Sequence, residues 1–176
     1  MIERLKIILL CVVAVVLYGI LLDQITIRVC IEYFTVFHPP VFATRSPTLL
    51  ALGWGIVATW WAGILLGVPL ALVARAGSRP QLSVSKLLRP VVRLLALMAG
   101  CALMAGVAGF FLARRGLIGQ PEWMIQVLAQ SDYPRFVADW CAHGASYASG
   151  VLGGVVLCIL QYRKRIARSR SLKGDT

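Results

Sequence analysis

Four long apolar runs separated by short polar connections leave this 176-residue chain few ways to fold. The runs occupy about residues 5–22, 48–74, 90–113 and 135–160. A helix needs roughly 17–25 predominantly apolar residues to cross the ~30 Å hydrocarbon layer. A segment that spans lipid must also satisfy its own backbone, which a helix does internally. The runs therefore predict an all-α membrane protein, a bundle of four transmembrane helices forming one integral membrane domain over residues 1–176. Composition agrees, since 59% of residues are hydrophobic and only 14% charged, against about a quarter charged in soluble domains.

The connections carry most of the chemistry. Arg4 and Lys6 ahead of the first run resemble the start of a secretory signal, but no small-x-small cleavage pattern precedes Asp23, so the run is expected to remain as a span. Residues 23–47 form the first extracytoplasmic loop. In it Ile25, Ile27, Val29 and Ile31 alternate with Thr26, Arg28, Cys30 and Glu32, the period of a half-buried strand. A small loop subdomain with an extended segment is expected over residues 23–46. The rival reading is an amphipathic helix with Arg28 and Glu32 as an i,i+4 pair. His38-Pro39-Pro40 stops regular structure, and Ser46-Pro47 supplies an N-cap and first helical residue for the second span. Residues 75–89 make a cytoplasmic loop and residues 114–134 a second outer loop, with a short interfacial helix anchored by Trp123. The basic tail, residues 161–176, is expected to fray into solvent.

Net charge is +11, but in a membrane chain the position of Lys and Arg matters more than their sum. Thirteen of the 18 fall in the two termini and the 75–89 connection with its adjoining helix start; Arg28, Arg45, Arg114, Arg115 and Arg135 are the other five. The bias predicts both termini in the cytoplasm of a bacterial-type inner membrane. Arg114 and Arg115 run against the rule. Basic residues next to a span contact anionic headgroups, so membrane lipid is an expected partner and nucleic acid is not.

On the fourth span Ala142, Ser146, Gly150 and Gly154 recur every four residues, and the second span carries Gly63 and Gly67. Such stripes let helices approach closely, and predict packing within a homo-oligomer or against another membrane protein. Trp60 and Trp61 lie mid-span, where they are expected to contact protein, lipid or an apolar ligand. Asp139 and His143, one turn apart, form the centre of a candidate cluster completed by Tyr147, His38 and Glu32. A carboxylate beside an imidazole suits metal ligation or proton transfer. In the bland alternative Asp139 pairs with Arg135 and His143 bonds a neighbouring helix. Cys30 and Cys141 share the outer side and would form a disulfide if close enough. The sequence assigns no catalytic residue, no cofactor and no particular metal.

In size the chain is similar to the quinone-coupled, disulfide-generating oxidoreductases of bacterial inner membranes and to four-helix b-type cytochromes. It has no Cys-x-x-Cys and places only one histidine within a span, so neither family is carried over. Three readings follow. The first is a non-enzymatic accessory or assembly component. The second is a metal-, cofactor- or quinone-linked enzyme using the Asp/His/Glu/Cys cluster, and the third a subunit of an oligomeric transporter or channel. The charge bias makes a test: a reporter that works only in the cytoplasm should be active when fused after Thr176, and activity of a periplasm-specific reporter there would overturn the orientation.

Overall fold

A computed structural model describes residues 1–174, and no strand occurs among the described residues. The helices are α1 (Ile2–Val29), α2 (Ile31–Thr35), α3 (Pro47–Val57), α4 (Trp60–Arg75), α5 (Val84–Arg114), α6 (Glu122–Ile125) and α7 (Tyr133–Gly174). Four spans are long and apolar enough to cross a membrane: α1, α3 with α4, α5, and most of α7.

The extended segment expected within 23–46 is replaced by helix. α1 runs on to Val29, and α2 adds a short helix after a break at Cys30. The cause is visible in the buried face, where Ile7, Cys11, Val15, Gly19, Asp23 and Ile27 recur every fourth residue. A helical stripe begun in the apolar run thus continues through Asp23. The alternation of isoleucines is incidental to it: Ile25 is 65% exposed and Ile27 2%. Arg28 does not turn to Glu32. It bonds Gln24 Oε1 at 2.8 Å and Thr48 Oγ1 at 3.1 Å, tying α1 to the start of α3.

α3 starts at Pro47, and the second span breaks at Ala58 and Thr59, while Pro69 lies inside α4. A helix break within lipid depth frees backbone groups that need partners. The Tyr147 hydroxyl supplies one, donating to the Ala58 carbonyl at 3.2 Å.

The tail also differs from expectation. α7 stays helical to Gly174, 42 residues in all, or about 63 Å of rise. Arg165, 1% exposed, fixes the outgoing helix. Its guanidinium donates to the carbonyls of Pro80 at 3.0 Å, Ala76 at 2.7 Å and Arg79 at 3.1 Å, and also to that of Val73. Those oxygens belong to the end of α4 and the turn after it, where carbonyls lack helical partners and carry partial negative charge.

The spans pair off. α1 packs along α3 and α4, α5 packs along α7, and the pairs meet at α1–α5 and α4–α7. Glycine makes both pairings close. A Cβ added at Gly63 would lie 2.5 Å from Val12 Cα, at Gly55 2.6 Å from Ile20 Cα, and at Gly109 2.7 Å from Cys141 Sγ. Gly63→Val should therefore lower the melting temperature in detergent by several degrees, the result of about 1–3 kcal/mol of overpacking. Gly100→Ala, with nothing within 4 Å of the added carbon, should leave it unchanged; equal melting of the two variants would remove the close-approach argument.

Candidate functional site

The continuation of α1 carries Asp23 and Thr26 to the end of the spans opposite the chain termini, where both side chains are buried against α7. His143 meets them there. Its Nε2 lies 3.1 Å from Thr26 Oγ1 and 3.9 Å from Asp23 Oδ1. Thr26 gives its own proton to the Leu22 carbonyl at 3.1 Å, so toward His143 it acts as acceptor and the ring proton sits on Nε2. Asp23 is too far for a hydrogen bond to that nitrogen.

An aromatic shell surrounds the imidazole. Tyr33 of α2 stacks on His143 with ring centres 4.9 Å apart, and the same Tyr33 ring lies 5.0 Å from His38. His38 is held by a 2.7 Å bond between its Nδ1 and the Tyr33 carbonyl, and it packs edge-on against Trp54 at 4.6 Å. The two histidines thus converge on one tyrosine ring. Among the described residues no three His, Cys, Asp or Glu side chains are grouped so as to hold a metal.

From this polar group a cavity of about 500 Å³ extends between α1, α4 and α7. Its wall on α7 runs from His143 to Ile159, about 24 Å of helix rise. Asp23, His143 and His38 lie at one end, Tyr147 and the Ala58–Thr59 break in the middle, and Pro69 and Cys158 at the other. The walls are mainly aliphatic and aromatic. Tyr18 and Ser146, which bond each other at 2.8 Å, contribute polar groups already satisfied.

The candidate residues divide accordingly. His143, His38 and Tyr147 line the cavity, while Asp139 and Glu32 do not. Asp139 is 1% exposed, and its Oδ2 has no hydrogen-bond partner. It neither bonds His143 nor pairs with Arg135, which lies 3.6 Å from Asp132. Glu32 accepts from the Cys30 thiol at 3.4 Å. Trp61 stacks on Tyr147 at 6.1 Å on the cavity wall, whereas Trp60 is exposed outside it. Gly63 and Gly67 face α1, Gly150 lies beside Met98 of α5 and Gly154 beside Leu66 of α4. With Ser146 held by Tyr18, these small residues serve contacts within the chain. Cys30 and Cys141 border one apolar cluster as free thiols. Sequence reasoning left Asp23, Thr26, Tyr33 and Trp54 out of the cluster; the four-residue stripe through Asp23 was the signal for the first two.

Comparison of the chain with protein families, curated proteins and solved structures finds no match. The chemistry of the site must be read from its own atoms. It offers one ring N–H already engaged by a hydroxyl, a carboxyl nearby, aromatic faces and a long apolar trough.

Burial pushes the Cys30 thiol, at the turn between α1 and α2, up to about 12. At pH 8 only about one molecule in 10⁴ then carries the reactive thiolate. In a variant retaining Cys30 as its sole cysteine, maleimide labelling of the folded protein at pH 8 should be slower than in sodium dodecyl sulfate by at least about a hundredfold. Comparable rates would mean that the α1–α2 turn is open.

Proposed function

We propose that this chain binds a hydrophobic-tailed small molecule of the lipid or quinone class, with its polar head at Asp23 and His143 and its tail along α7. The supporting observation is the shape of the cavity. A volume of about 500 Å³ lies within the range of small-molecule sites, about 300–1,000 Å³, and such sites are mostly apolar with a few placed polar groups. Its length along α7 approaches the thickness of the hydrocarbon layer, which fits an extended chain better than a compact metabolite. His143 can offer Nε2–H to a head-group oxygen in place of Thr26, and the aromatic shell suits a planar or carbonyl-bearing head.

The proposed setting is a bacterial-type inner membrane with both termini cytoplasmic. It rests on the distribution of Lys and Arg, 13 against five, and puts the His143 end on the outer side. The accessory reading relied on small-residue faces for partners. Gly63, Gly67, Ser146, Gly150 and Gly154 all have neighbours in this chain, so a partner would have to use other surfaces.

Extraction of protein purified in mild detergent, followed by mass spectrometry, tests the proposal. The native chain should retain one apolar-tailed species at near one per chain. His143→Leu should reduce its retention about tenfold, the equivalent of one hydrogen bond near 1.4 kcal/mol, and Ala62→Phe, which fills the trough, should abolish it. Equal lipid content in all three would overturn the reading.

A further inference from the structure

At the opposite end of the spans a second cleft, about 790 Å³, opens between the first turns of α5 and the outgoing part of α7. Lys86, Arg89 and Arg93 line it from α5, and Lys164 and Arg168 from α7, around Gln161. The spacing explains the convergence. Positions 86, 89 and 93 share one helical face, as do 164 and 168.

Among the described residues no carboxylate lines this cleft. Among the described residues the ion pairs lie elsewhere, at Glu3–Lys6 and Asp132–Arg135. Five like charges around one hollow repel one another, and each would be stabilised by an anion. The cleft is also held in shape from behind. Arg165, adjacent to Lys164, is locked onto four backbone carbonyls of the α4 end and the following turn, so α7 cannot swing away to relieve the repulsion. Gln161 beside the cations is 5% exposed.

We propose that this cleft is a binding site for a phosphate-bearing anion, with Arg89, Arg93 and Arg168 offering forked donors to its oxygens and Lys86 and Lys164 acting as point charges. The source favoured by its place at the end of the apolar spans is the headgroup of an anionic phospholipid, since basic pockets between membrane helices suit such groups. The cleft lies at the other end of the chain from His143, so the fate of the His143 proposal does not decide this one.

Thermal unfolding of the full chain in neutral detergent supplies the test. Three additions are compared: cardiolipin, phosphatidylcholine and inorganic phosphate. Cardiolipin should raise the melting temperature by several degrees, because a ligand that binds only the folded state stabilises it. Phosphatidylcholine should not. The variant Arg89→Gln/Arg93→Gln/Arg168→Gln should lose most of the response. Arg4→Gln/Arg163→Gln/Arg170→Gln, which removes three exposed cations outside the cleft, should keep it. An equal loss in both triple variants, or an unchanged response in the first, would overturn the site. A cleft-dependent rise with inorganic phosphate alone would uphold the anion site and assign it to a soluble phosphate compound rather than lipid. Native mass spectrometry of each variant at room temperature, counting bound cardiolipin, gives the same comparison if the first variant unfolds too early to melt cleanly.

Discussion

The arrangement depends on how closely helix backbones approach where side chains are missing. In lipid, burial of apolar surface hardly drives helices together, because the surrounding tails are as apolar as leucine. Association then rests on van der Waals contact, which is strongest where glycine lets one backbone touch another. Gly55, Gly63 and Gly67 bring the second span onto α1, and Gly106 and Gly109 bring α5 onto α7. These faces are spent in making two tight pairs. The seam between α4 and α7 is left with Trp61, Leu65, Tyr147 and Val151, large side chains that are each partly exposed. Large residues meeting at their tips leave a trough, and the cavity lies along it.

Polar groups are distributed by the same logic. A buried hydroxyl or carbonyl away from water needs a partner, and the chain provides them across its seams: Tyr18 with Ser146, Tyr147 with Ala58, Thr26 with His143, and Arg165 with four carbonyls. Each bond joins different spans, so each also fixes register. Asp139 is the exception among the side-chain acids, with Oδ2 buried and unpartnered. It lies one turn before His143, and a departure from polar satisfaction beside a candidate site is the kind that folded chains retain for function.

Much of the fold was legible because long apolar runs have few alternatives in lipid. The four spans, the start at Pro47 and the small-residue faces were read from residues alone. The end of α1 was misread because Ile25, Ile27, Val29 and Ile31 satisfy a period of two, while the longer stripe from Ile7 through Asp23 to Ile27 satisfies a helix. A short window favoured the wrong period. The tail was misread for a different reason. What keeps α7 helical past the lipid is a tertiary contact, Arg165 on carbonyls 85 residues and more earlier in the chain, and nothing local announces it. Asp139 and His143 share a helical face as their spacing required, yet partners are chosen by the neighbouring helix, and α1 places Thr26 within hydrogen-bond reach of His143.

The two ends of the molecule are closed unequally, and this bears on how a ligand could reach the trough. At the end near the chain termini Ile7, Leu70, Leu87 and Val91 are fully buried in one cluster, and Arg165 clamps the helix ends above them. At the other end the cover is thinner: α2 has five residues, and the following connection to α3 lies beside Phe34 and Trp54. Between these ends the α4–α7 seam faces the lipid, flanked by exposed Leu65, Val151 and Val155. The break at Ala58 and Thr59 falls on that same seam, where Tyr147 donates to the Ala58 carbonyl and Thr59 donates to that of Gly55. α3 itself stays fixed to α1, through the close contact of Gly55 with Ile20 and the bonds of Gln24 and Arg28 to Thr48, so the wall that can part is the α4–α7 seam rather than the first half of the second span. An amphiphile entering sideways from the bilayer would then pass between α4 and α7, where large side chains meet at their tips, before its head reached His143.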